Sequence, residues 1–391
     1  LSMEVFPGST PEETRKRLDD TAAGKATGKV YDQLFFRHWD TWADGRRKHI
    51  FVMPASGGTP VDVMKDMDAD APSKPFGGRG EYTFTPDSRA IVFGARNAGR
   101  EEAWSTNFDL FVAPADGSAA PRNLTSANPA WDAHPAFSPD GRTLAYTAMK
   151  RPGYEADRFR IVLRAWPEGT ERVLTESWDR SAGDLAWSAD GKTLFTTSDD
   201  LGNHALFAID VASGKVRTVV DKGHVVSPQV NGKRVVYLLD TLRGPAELYS
   251  TRADGSDTKR LTSINDERLA AVRLGEPSQF TFPGANGDTV YAWVVKPVDF
   301  DPAKKYPVAM LIHGGPQGSF GDQFHYRWNP QTYAGRGYVA LMIDFHGSTG
   351  YGQAFTDAIN GDWGGKPLDD LKLGLAAALE KHPWMDGDRV A

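Results

Sequence analysis

Through the first 274 residues, short runs of alternating apolar and polar side chains recur at intervals. Phe84-Thr85-Pro86-Asp87-Ser88-Arg89 leads into Ala90-Ile91-Val92-Phe93, and Phe137-Ser138-Pro139-Asp140-Gly141-Arg142 into Thr143-Leu144-Ala145-Tyr146. Trp187-Ser188-Ala189-Asp190-Gly191-Lys192 leads into Thr193-Leu194-Phe195-Thr196, and a degenerate copy, Val230-Asn231-Gly232-Lys233, into Arg234-Val235-Val236-Tyr237. Asp-Gly and Asn-Gly pairs accept positive φ, so each copy predicts a tight-turned β-hairpin. A second element follows: an apolar strand, a turn of small residues and a short polar strand. Leu110-Phe111-Val112-Ala113 with Arg122-Asn123-Leu124-Thr125 is one case, and Leu248-Tyr249-Ser250-Thr251 with Lys259-Arg260-Leu261-Thr262 another. Ile50-Phe51-Val52-Met53, Leu206-Phe207-Ala208-Ile209 and the run near Val162 fill the same slot.

Asp87 to Asp140 spans 53 residues, Asp140 to Asp190 spans 50, and Asp190 to Asn231 spans 41. Four strands per unit at that period predict the blades of a β-propeller. A sandwich of unrelated hairpins would not repeat both a turn motif and its partner strand. The second element occurs five times, and the first unit opens in mid-blade, with Leu1-Ser2-Met3-Glu4-Val5-Phe6 reading as a strand. Propellers close on themselves with about four to eight blades. Five blades with an open first edge therefore predict a propeller incomplete in this chain, lacking N-terminal blades. That open edge is a surface for association, a second copy of the chain included.

The repeat ends near Leu274 and from Val308 the grammar changes; the expected domains are 1–273 and 274–391. Val308-Ala309-Met310-Leu311-Ile312 and Gly337-Tyr338-Val339-Ala340-Leu341-Met342-Ile343 are continuous apolar runs, as parallel strands buried on both faces require. Pro367 to His382 reads as a helix with Leu368, Leu371, Leu375 and Leu379 on one face, and with Asp369 and Asp370 suited to its N-terminal dipole. Asp388-Arg389-Val390-Ala391 reads as the start of a further strand. Strand, loop, strand, loop, helix is the order of an α/β domain.

Composition narrows the class. With 391 residues, 40% hydrophobic and 25% charged, the chain has the balance of a folded protein of two domains. A net charge of −6 without any basic run excludes general attraction to nucleic acid. No stretch approaches the roughly 18 consecutive apolar residues of a membrane span. Cysteine is absent, which removes disulfides, thiolate zinc sites and a cysteine nucleophile. Neither that absence nor the first residues, which carry no signal-peptide pattern, assigns a compartment; cytoplasm, periplasm and secretion all fit. Asp66, Asp68 and Asp70 begin like a calcium loop, but Ala71 and Gly77 stand where glycine and glutamate are needed, so a solvated acidic turn is expected and no metal or cofactor.

The chemistry-bearing string is His313-Gly314-Gly315-Pro316, directly after a buried strand. Acyl transfer needs backbone N–H groups aimed at an oxyanion, and a glycine pair lets the backbone approach a substrate. A plain Gly-Gly-Pro turn accounts for the string equally well by itself. The context is more specific: His346-Gly347-Ser348-Thr349-Gly350-Tyr351-Gly352 follows the second strand and Gly361-Asp362-Trp363-Gly364-Gly365 precedes the helix. Together with Pro316-Gln317-Gly318 and Tyr326-Arg327-Trp328-Asn329-Pro330, these strings resemble the hydrolase domain of the prolyl oligopeptidase family of serine peptidases. The similarity is greatest in its acylaminoacyl peptidase and dipeptidyl peptidase 5 branch. Many members have Arg-Gly where this chain has His346-Gly347.

The resemblance implies a β-propeller followed by the N-terminal half of an α/β-hydrolase domain, over the whole chain. It implies that the Gly315 N–H is an oxyanion-hole donor and that His313 and Gly314 shape that loop, His313 as a packed residue. His346 is expected to be a loop residue near the domain interface. The implied activity is cleavage of short peptides through an acyl-enzyme, by a dipeptidyl peptidase or acylaminoacyl peptidase gated by its propeller. Exopeptidases of the family hold the substrate amine with carboxylates, which singles out Glu101 and Glu102, with Glu4 as a further candidate. Trp39, Trp42 and Trp178 are expected to pack between blades rather than line that cavity. The chain departs from the family by having no Gly-x-Ser-x-Gly nucleophile elbow. Ser348 and Ser319 each have a glycine one position too close, and all nine histidines lie upstream of where the elbow would follow. The chain alone is therefore expected to be inactive and to need the missing C-terminal hydrolase segment as a partner. A propeller-based binding protein with a degenerate hydrolase domain, or an esterase on the same fold, are the competing readings.

Overall fold

The computed structural model describes residues 1–391, and the chain divides into two compact units, Leu1–Glu176 and Ser177–Ala391. In the first unit the repeats become antiparallel sheets. One holds Tyr82–Phe84, Ala90–Ala95, Asp109–Pro114 and Arg122–Asn123; the next holds Asp132–Phe137, Thr143–Ala148, Arg160–Ala165 and Glu171–Val173. A three-stranded sheet precedes them, with Ser2–Val5 paired to Arg47–Val52 and that strand to Val61–Asp62. Successive side chains of Ala90–Ala95 point to opposite faces. Ile91 and Phe93 enter a core with Ile50 and Met64, and Val92 enters another with Leu144 and Val162. A strand packed on both faces has no polar side to show, which is why these runs are so apolar.

The repeated turns have a common construction. Asp140 Oδ1 accepts from Ser138 Oγ at 2.6 Å and from Arg142 N at 3.1 Å, while Thr143 N donates back to Ser138 Oγ at 3.0 Å. Ser188 with Asp190, and Thr85 with Asp87, repeat the arrangement. Gly141, Gly191 and Ser88 take positive φ at the fourth turn position, where glycine is the least strained choice. The hydroxyl and the carboxylate thus satisfy the turn's own backbone, as Asx and ST motifs do.

One helix goes unannounced by the apolar pattern. Pro11–Ala23 buries only Thr14, but Thr10 and Glu13 form a reciprocal capping box, a local signal legible as Thr-x-x-Glu.

In the second unit, Ala186–Trp187, Thr193–Asp200, Asn203–Asp210 and Val216–Val220 form one blade-like group. A parallel bridge at His204 and His224 joins it to His224–Asn231, Arg234–Thr241, Gly244–Arg252 and Lys259–Arg260. A five-stranded sheet follows in the order Pro277–Pro283, Thr289–Val295, Val339–Asp344, Tyr306–Leu311, Met385–Val390, the last three parallel. All six residues of Val339–Asp344 are buried. The helix Lys366–Lys381 covers this sheet.

Three expectations need correction here. Leu368 is 42% exposed, because the line that meets the sheet is Pro367, Asp370, Gly374 and Ala378, flanked by Leu371, Leu375 and Leu379. Asp370 is fully buried and receives hydrogen bonds from the backbone of Ala285 and His346, so it serves more than the helix dipole. The strand ends at Leu311, leaving Ile312 56% exposed where the chain turns away. No helix is long and apolar enough to cross a membrane.

Candidate active site

Tyr306–Leu311 and Val339–Asp344 are parallel neighbours, so the segments that follow them leave the sheet at the same edge. In sheets of this class that carboxyl edge is where ligands bind. His313 is buried, its ring stacked on Phe345 with centroids 4.4 Å apart. Its Nδ1 lies 3.0 Å from the Gly314 carbonyl oxygen and so carries the proton. Its Nε2 lies 2.9 Å from Ser348 Oγ, within hydrogen-bond distance. Both ring nitrogens are thereby engaged inside the loop.

Gly314 and Gly315 are exposed. Gly315 has φ +131°, and a Cβ there would stand 2.7 Å from Gln317 N, so only glycine fits. The Gly315 N–H makes no hydrogen bond within the chain. Asp344 closes the arrangement. It accepts from Ser319 Oγ at 2.5 Å, Tyr351 Oη at 2.6 Å and Phe320 N at 2.9 Å, with His313 Nε2 at 3.6 Å from Oδ1. Burial pushes the Asp344 carboxyl up, against the pull of His313 and the three donors.

Sequence reasoning set Ser348 and Ser319 aside as nucleophiles and did not single out Asp344. The available signal was an acid ending an otherwise apolar run. His346 proves more than a loop residue: it is 2% exposed, with Nδ1 2.6 Å from Asp370 Oδ2 and Nε2 3.2 Å from Asp288 Oδ2.

The candidate amine-binding carboxylates lie in the first unit. Glu4 and Glu102 line one cavity of about 160 Å³, while Glu101 is exposed beside a separate hollow with Tyr31 and Trp104. Glu102 is held by Arg47 through two hydrogen bonds, of 2.9 and 2.6 Å. Glu4 pairs with Lys74 at 3.0 Å and Arg46 at 3.2 Å. Burial alone would lower the Arg47 pKa, but Glu102 and Asp68 outweigh it and hold the guanidinium firmly charged. Asp70 is not the solvated residue expected: its side chain is 11% exposed, accepting from Lys48 N and paired with Arg47 and Lys74.

The tryptophans divide. Trp178 stacks edge-on against Phe207 at 5.0 Å, whereas Trp42 lines the Glu4–Glu102 cavity and Trp39 is 67% exposed. The last two belong to a two-stranded ribbon, Arg37–His38 with Thr41–Trp42, outside the blade sheets, so no neighbouring sheet covers them. No group of three or more His, Asp or Glu side chains is arranged to hold a metal ion.

The model of the prolyl oligopeptidase family matches residues 324–391. Dipeptidyl-peptidase 5 of Schizosaccharomyces pombe is 31% identical over 389 residues, covering 94% of this chain and 55% of that protein. Dipeptidyl-peptidase 5 of Trichophyton equinum is 34% identical over 395 residues, covering 94% and 54%. The chain is thus similar to the prolyl oligopeptidase family over residues 324–391 and to these dipeptidyl-peptidases over nearly its whole length. It spans about half the length of the curated relatives it matches. Pyrococcus horikoshii acylaminoacyl peptidase shares the fold with a TM-score of 0.74 at 19% identity, covering 93% of this chain and 54% of that one. Puromycin hydrolase does so with a TM-score of 0.59 at 18% identity, covering 88% and 61%. The family's fold, propeller blades with an α/β-hydrolase sheet, accounts for both kinds of sheet seen here.

Proposed function

We propose that the natural protein is a serine peptidase that releases dipeptides or acylated residues from short peptides through an acyl-enzyme. Residues 1–273 would supply propeller blades that restrict entry, and residues 274–391 the first part of the hydrolase domain. The observation that carries this reading is the unbonded N–H of Gly315, an exposed residue at the carboxyl edge of the parallel sheet in a conformation that admits only glycine. Such a donor stabilises the tetrahedral oxyanion of acyl transfer. His313 supports the loop by packing rather than by acid–base chemistry, since its nitrogens are both engaged. With no Gly-x-Ser-x-Gly in its sequence, the 391-residue chain alone is inactive in this reading. Glu4 and Glu102 are the carboxylates proposed for the substrate's ammonium, which would compete with Lys74, Arg46 and Arg47; Glu101 is the weaker candidate.

The test uses the full-length natural protein with dipeptidyl and N-acetylated aminoacyl chromogenic substrates and a serine-reactive phosphonate. Turnover and covalent labelling are expected, with kcat falling about a hundred-fold or more in Gly315→Ala. Glu102→Gln should raise KM for free-amine substrates and leave acetylated ones alone. Absence of both turnover and labelling in the unmodified protein sinks the peptidase reading. Labelling of the 391-residue chain by itself would show that one of its own serines is the nucleophile.

A further inference from the structure

We infer that Asp344 is the positioning residue of the oxyanion loop, an inference that rests on the reading of Gly315 above. Residues 313–320 form an arch with the two exposed glycines near its first foot. Both feet stand on the segment that begins at Asp344. At the first foot, His313 stacks on Phe345 and bonds Ser348, and its Nε2 is 3.6 Å from Asp344. At the second, Ser319 Oγ and Phe320 N donate directly to the Asp344 carboxylate. Thr349 N donates to Gly318 O at 3.0 Å, a further tie between the two segments.

The carboxylate is itself fixed from the other side by Tyr351 Oη, whose ring lies against Tyr291 and Phe355 at 5.1 and 5.2 Å. Three donors converge on a side chain only 4% exposed, leaving it no freedom to follow solvent. A single buried carboxyl group therefore sets the height of both feet and, through them, the direction of the Gly315 N–H. Catalysis by such a donor is sensitive to displacement: an error near 1 Å costs about a hundred-fold in rate.

Asp344→Asn tests the role most directly, but placing an amide N–H₂ among three converging donors threatens folding. Ser319→Ala and Tyr351→Phe each delete one donor and keep the carboxyl group. The first measurement is hydrogen–deuterium exchange of the 391-residue chain. Uptake within residues 313–320 should rise several-fold in both variants, while Thr289–Val295 and Val339–Asp344 exchange as in the unmodified chain. The second is steady-state kinetics of the full-length natural protein, where each variant should lower kcat about ten-fold with KM held within about two-fold. Unchanged uptake in residues 313–320 in both variants overturns the positioning role, whatever the protein's activity. A KM effect without a kcat effect overturns it too. Faster exchange in the variants together with an inactive unmodified protein keeps the brace and overturns the peptidase reading instead.

Discussion

Asp132 is fully buried in the second four-stranded sheet of the first unit, with Oδ1 accepting from Asn128 Nδ2 at 2.8 Å and Oδ2 left without a partner. Burial pushes its carboxyl up to about 8, with Asp109 and Glu171 adding to the effect, while Asn128 and Thr125 pull the other way. In the unfolded chain the same group titrates near 3.9. Between those values the folded state binds more protons than the unfolded one, so stability falls as pH rises from about 4 to about 8. Asp132→Asn keeps the Asn128 bond and abolishes the titration. Its unfolding temperature should exceed that of the unmodified chain by a few degrees at pH 8 and converge with it near pH 4. Parallel melting-temperature profiles across that range would show that Asp132 does not titrate in the window. Asp132 does not stand out in the sequence, because an isolated aspartate carries no local mark of burial. Gly315 and His313 did stand out, since a Gly-Gly pair after an apolar run is a backbone requirement written in residue type.

At the level of elements, periodicity located the helix Lys366–Lys381 but misplaced part of its contact line. The helical period puts Leu368 on the apolar face, while it is Gly374 that sits tight against the sheet. A Cβ at Gly374 would lie 2.5 Å from Ile343 Cδ1 and 2.6 Å from the Phe282 ring. Alanine is the better helix former by about 1 kcal/mol, but overpacking costs about 1–3 kcal/mol. Gly374→Ala should therefore lower the urea midpoint of the second unit; a raised midpoint would mean that the helix can lift off the sheet. The hairpins were legible for the opposite reason. Their signal is local, with hydroxyl, carboxylate and glycine acting within six residues. The ribbon carrying Trp39 and Trp42 was not legible, since its exposure depends on the absence of a neighbouring sheet.

On the scale of the whole chain, the sequence grammar breaks near residue 274, yet the compact units divide at Glu176 and Ser177. Physical ties within the second unit explain why its last blade strands and the α/β sheet stay together. Leu242 N donates to Asp322 and Phe324 N to Asp240, both at 2.7 Å. The Gln331 amide spans Leu242 O and Gly275 O, and Thr349 Oγ1 donates to Asp199. Strand periodicity cannot report such bonds, because their partners lie 56 to 150 residues apart. Residues 177–391 expressed alone should unfold in one cooperative urea transition, whereas 274–391, stripped of these partners, should show little near-ultraviolet circular dichroism and no sharp transition. Cooperative unfolding of 274–391 would support the boundary that the sequence grammar suggests. The self-contained turns of the blades carry one more consequence, for the order of events in folding. A hairpin whose turn satisfies its own backbone closes a very short loop, on a timescale of about microseconds, before any distant strand is found. Each blade therefore enters folding with its strand register already chosen. The slow search is left to the long-range ties of the second unit, and the rate of acquiring native structure should respond to changes there far more than to changes in any single turn.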